Sequence, residues 1–123
     1  MTPLLQPDEL PASWCHDMKT YDLYGLSCRN LEEAKARVEP ALGVTLIAHE
    51  SGYHCGDYYR YKDVGEEHFI LQRNFDDLEG EWTEPANQDQ PLLLYVNETD
   101  RSAELRDALE QVDGVVRLRH QDL

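Results

Sequence analysis

The sequence predicts an α+β domain: one mixed, largely antiparallel sheet in the order β-α-β-β-β-β-α-β, with two helices on one face. Two segments with helical apolar spacing, residues 30–43 and 99–114, each stand between strand-like runs. Between them, three alternating runs follow one another through short glycine-containing turns, the pattern of an antiparallel meander. A strand–helix–strand unit therefore stands at each end of the domain, as in a ferredoxin-like sheet with an extra hairpin.

Residues 1–19 carry three prolines and no period, which makes them an irregular arm, with Trp14 placed to pin it to the body; residues 20–123 form the single domain. "TYDLYGLSC" alternates, with Tyr21, Leu23 and Gly25 on one face and Asp22, Tyr24 and Leu26 on the other. In "NLEEAKARVEP", Asn30 and Glu33 make a capping box, Leu31, Ala34 and Val38 keep helical spacing, and Pro40 and Gly43 are expected to close the helix. "GVTLIAHES" is apolar enough to be expected as a central strand. "DYYRYK" and "EEHFILQRNF" complete the meander, and residues 76–91 lack both period and apolar content, as a long loop does. "LLLYVNE" is a buried strand. The second helix takes Thr99 or Asp100 as cap, Leu105, Ala108, Leu109 and Val112 as core stripe, and Gly114 as stop, before "VVRLRH" ends the sheet.

Charge narrows the function. At 123 residues the chain is of single-domain size, and 25 acids against 11 bases leave a net charge of −14. Such a field disfavours nucleic acid and anionic membrane and speeds encounter with a basic partner. No apolar run reaches the ~20 residues of a membrane span. The first residues lack a basic n-region and a long apolar stretch, so no secretory signal is expected. Cys15, Cys28 and Cys55 form no C-x-x-C and no paired framework, which reads as free thiols and a cytoplasmic location.

Catalytic and metal chemistry find little support. "HESGYHCG" gathers His49, Glu50, His54 and Cys55. Its spacing is H-E-x-x-x-H, which on a helix would turn the second histidine about 140° from the first. In a strand, adjacent His54 and Cys55 point to opposite sides. Ser51 lacks the G-x-S-x-G elbow, and the glycines flank a hairpin rather than opening a helix. No catalytic group, metal or cofactor is therefore expected. A small metal- or thiol-dependent enzyme using His49, His54 and Cys55 remains the alternative, alongside a small-ligand-sensing domain, which rests on fold analogy alone.

The acidic loop carries more. From Asn74 to Asp100 there is no Lys or Arg, while Asp76, Asp77, Glu79, Glu81 and Glu84 surround Trp82. An aromatic anchor ringed by carboxylates suits capture of a basic protein. Against this stands a solvated loop whose Trp packs back on the sheet. Asp57 and Tyr58, in a tyrosine-rich strand, could extend the patch, because tyrosine gives contact area at low entropic cost.

Three stretches, "HESGYHCGDYYR", "EEHFILQRNFDD" and "QPLLLYVNET", resemble the small acidic immunity proteins of bacterial polymorphic-toxin systems, such as contact-dependent inhibition. There an E-S-x-Y-x-G-G-x-Y-Y stretch precedes an F-I-L-Q-x-N-F run; here Cys55 stands at the first glycine of the pair. The resemblance covers roughly residues 20–120. It implies a protein partner, the C-terminal domain of a cognate toxin, neutralised by occlusion. The acids would then fill the phosphate-binding groove of a nuclease-like domain.

Overall fold

The structure is a computed structural model that describes residues 19–51, 56–77 and 79–122. Trp14, Cys15, His54 and Cys55, which figure in the sequence reading, lie outside the described residues. The order is β1 (Thr20–Leu26), α1 (Leu31–Leu42), β2 (Ile47–Ser51), β3 (Gly56–Tyr61), β4 (His68–Arg73), β5 (Phe75–Asp76), β6 (Glu81–Trp82), β7 (Leu92–Thr99), α2 (Ser102–Leu109) and β8 (Val115–Asp122). Six strands make one sheet in the order β2-β3-β4-β7-β1-β8, and β5 pairs only with β6. The fold class is the expected α+β, and every pairing among the described residues is antiparallel. The four strands β8-β1-β7-β4 have the split strand–helix–strand arrangement, and the β2–β3 hairpin extends the sheet beyond β4.

Register explains the core. Tyr24 faces Leu94 and Leu71 lies beyond it, while Leu26 pairs with Leu92 and Phe69 with Val96. These side chains share one sheet face. Leu31, Ala34, Val38 and Leu42 of α1 and Leu105 and Leu109 of α2 close over that face in a single cluster. Burying each large aliphatic side chain contributes about 1.5–3 kcal/mol, so this layer dominates stability.

Asn30 caps α1 by accepting from the Glu33 N–H at 2.8 Å, while Glu33 reaches back to the Arg29 N–H at 3.2 Å. Pro40 does not close the helix as expected. It sits in the last turn, and Gly43, in the left-handed region at φ 73°, ends it by donating to the Glu39 carbonyl.

Two further expectations give way. The apolar run before His49 is not a central strand, because its core residue, Leu46, is spent before β2 begins; β2 itself is an edge, and Ile47 is 56% exposed. The 76–91 segment is more than a loop: it holds the β5–β6 hairpin and a 3-10 turn at Pro85–Asn87. One buried side chain organises it. The Asn74 amide donates to the carbonyls of Asn87 (2.9 Å) and Gln90 (3.0 Å), and its oxygen accepts from the Glu84 N–H (2.8 Å).

Candidate functional site

At the Leu26–Leu92 end of the sheet, the first turn of α1, the β2–β3 hairpin and the β5–β6 hairpin meet around the end of β4. They enclose two adjacent pockets, of about 330 and 280 Å³, that share Asn30, Leu31 and Arg73. Glu32, His49, Asp57 and Tyr58 line the first, and Arg29, Phe75, Asp77 and Trp82 line the second. The loop aromatic and the tyrosine strand, 24 residues apart between Tyr58 and Trp82, are thereby joined into one surface.

Each side chain has a local cause for its place. Trp82 is half-buried because it pairs with Phe75 across the small hairpin, ring to ring at 5.0 Å and 63°, an edge-to-face contact. Its other side forms the pocket wall. Tyr58 is only 8% exposed and stacks on His49 at 5.6 Å, so it is a packed side chain rather than a projecting contact. Asp57, Asp77, Glu79 and Glu81 stand in solvent, and Asp76, half-buried, accepts from the Glu79 N–H.

Glu84 departs from the expected binding set. Its carboxylate is turned inward, accepting from the Tyr95 hydroxyl at 2.7 Å and the Arg119 guanidinium at 3.1 Å. It ties the loop to the helix-free face of the sheet and is not available at the rim. Sequence reasoning also missed Arg29, Glu32 and Arg73. Arg73 had a usable signal: Tyr59 pairs with Leu71, so counting on by two places it level with Asp57 on the same face.

A second polar cluster lies at the opposite, Thr20–Thr99 end of the strands. The Asp22 side chain is wholly buried. The Ser102 hydroxyl donates to its Oδ2 at 2.6 Å, and His120 Nδ1 contacts its Oδ1. Ser102 Oγ also lies 3.4 Å from His120 Nδ1. Serine and aspartate thus share one ring nitrogen, whereas a hydrolytic relay sets them on opposite nitrogens of the imidazole. A lone acid on the core face of an aromatic strand was the legible sign of this cluster; its partners, 80 and 98 residues away, were not.

Metal ligation finds no nucleus here: among the described residues no three His, Cys, Asp or Glu side chains gather closely enough to hold an ion. His49 stacks on Tyr58 with ring centroids 5.6 Å apart. Burial pushes the Cys28 thiol up, against the smaller opposing effect of Arg37, which leaves it a poor nucleophile. No helix among the described residues is long and apolar enough to cross a membrane. In comparisons with known proteins, no family model matches this chain and no curated protein matches it.

Proposed function

We propose that this chain is a cytoplasmic immunity protein that binds and neutralises the C-terminal domain of a cognate toxin, a basic and nuclease-like one, by occlusion. One observation carries the reading: acids from three separate segments, Glu32, Asp57 and Asp77, converge on paired pockets with the Trp82 ring in the wall. Glu79 and Glu81 add exposed charge at the neighbouring hairpin. The pockets offer shape and an aromatic anchor, while the surrounding acids steer a cationic surface and pair with it. The sequence resemblance to immunity proteins points the same way.

The test has two stages. Tagged protein is used to capture its partner from native lysate at low and high salt, and the recovered domain is then expressed with and without this chain. A basic, growth-inhibiting domain bound near one-to-one, weakened by salt and silenced by co-expression, is the expected result. Recovery of no toxic domain sinks the proposal. With the partner in hand, changing Asp76, Asp77, Glu79 and Glu81 together to Asn or Gln should slow association and flatten its salt dependence. An unmoved association rate would remove the loop as the steering surface.

A further inference from the structure

The Asp22 cluster opens onto a groove of about 510 Å³ between the first turn of α2 and the β1–β8 edge. Its charge runs against that of the molecule. In a chain with 25 acids and 11 bases, two arginines from different elements, Arg106 and Arg117, face this groove together with His120. We infer that this groove is a second binding site, for a small multiply charged oxyanion carried as a phosphoryl or carboxylate group.

The polar groups behind it are built rather than scattered. Both oxygens of buried Asp22 are engaged, one by the Ser102 hydroxyl and one by His120, and this fixes where Ser102 and His120 stand in the groove wall. The Arg101 side chain makes no cap hydrogen bond to α2, and Ser102 and Ala103 of its first turn, the positive end of the helix, line the same space.

The arginines have capacity left. Arg106 directs Nε and one terminal nitrogen at a single oxygen of its exposed neighbour Asp107, a contact worth little in water. Arg117 makes no ion pair or hydrogen bond among the described residues. The Tyr24 hydroxyl, buried without a hydrogen-bond partner, lies within the fields of both arginines. Burial first, and then Asp22, push its pKa up to about 12 against the opposing fields of Arg117 and Arg106, so it stays a donor.

The opposing charges set the ligand class. Asp100 stands at the groove and Asp22 lies behind it. A singly charged ion gains little against them, whereas a phosphate or a di- or tricarboxylate can engage both guanidinium forks at once.

Titration of the full chain with inorganic phosphate and with citrate, at constant ionic strength against chloride, tests this by NMR. The expected result is saturable, one-to-one movement of the Ser102 and Ala103 amides and the Arg106 side chain with at least one probe. Arg106→Gln and Arg117→Gln, both partly or fully exposed, should each weaken binding about tenfold or more without altering the far-ultraviolet circular dichroism. Saturation by phosphate alone assigns a phosphoryl ligand, and by citrate alone a carboxylate ligand. Linear shifts with both probes, shifts spread evenly over the surface, or arginine variants that titrate like the parent would overturn the site. None of these readouts involves a toxin, so the outcome stands apart from that of the capture experiment.

Discussion

The two ends of the sheet treat the same side chains in opposite ways. At the Thr20–Thr99 end, carboxylates fold inward: Asp22 onto Ser102 and His120, and Glu67 onto Thr99 and both nitrogens of the Arg101 fork. At the Leu26–Leu92 end, Asp57, Asp77, Glu79 and Glu81 remain in water. Donor supply accounts for the difference. Residues 101–120 bring Arg101, Arg106, Arg117, Ser102 and His120 to the first end, whereas residues 74–100 contain no base and the second end draws on Arg29 and Arg73 from elsewhere in the chain. Within that stretch, Glu84 turns inward by borrowing donors from β7 and β8. An acid without donors is left outside, because burying it unpaired costs far more than exposure.

Breaking the inward end should have the largest effect. Asp22→Ala removes a wholly buried carboxylate together with the acceptor that Ser102 and His120 share at the groove wall. It should cost about 3 kcal/mol, read as a lowered urea midpoint with an unchanged slope. A cost below about 1 kcal/mol would mean that the cluster is ornamental to the fold.

Asn74→Ala comes next, at about 2 kcal/mol, because it removes three hydrogen bonds to backbone groups of the loop. It should also change Trp82 fluorescence, since Trp82 and Phe75 flank the segment that Asn74 holds. Stability lost with fluorescence unmoved would separate the hairpin from the loop that follows it.

Glu67 sharpens the comparison through pH. Burial alone would raise its carboxyl, but hydrogen bonds from Arg101 and Thr99 outweigh this and hold it below the ordinary value of 4.5. A depressed acid contributes its stability above the unfolded value and loses it as pH falls through the folded one. Glu67→Gln should therefore cost about 1 kcal/mol at neutral pH and flatten the loss of stability below pH 4.5. Parallel curves for parent and variant between pH 3 and 6 would show that the pair contributes no linkage.

Much of this architecture was legible before any coordinates. Strand alternation placed Tyr24 and Leu26 on one face, and the Asn30–Glu33 spacing announced the first helix with its cap. Local signals failed where one distant group decides. Nothing in residues 76–91 shows that Asn74 folds them, because a hydrogen-bonding amide leaves no periodic trace. The apolar run at Val44–Ile47 misled for a related reason: a residue can fill the core from a connection as well as from a strand, and Leu46 does so. For the candidate site, Trp82 and its acids were visible as composition, but their meeting with Asp57 around Arg73 depends on register across β3 and β4.

The exposed end should give the smallest stability effect and the clearest separation of roles. Converting Asp77, Glu79 and Glu81 together to Asn or Gln removes three exposed charges. Replacing solvated acids usually changes stability by less than about 0.5 kcal/mol, and relief of repulsion in a chain of net charge −14 pushes the sign toward stabilisation. The expected urea midpoint is equal to or slightly above that of the parent, with the gap closing as salt is added and the repulsion is screened. Placed beside Asp22→Ala, this result would show carboxylates of one chain divided between holding the fold and facing outward. A marked loss of stability would instead assign these acids to the fold and leave Asp57 and Glu32 as the charged rim available to a partner.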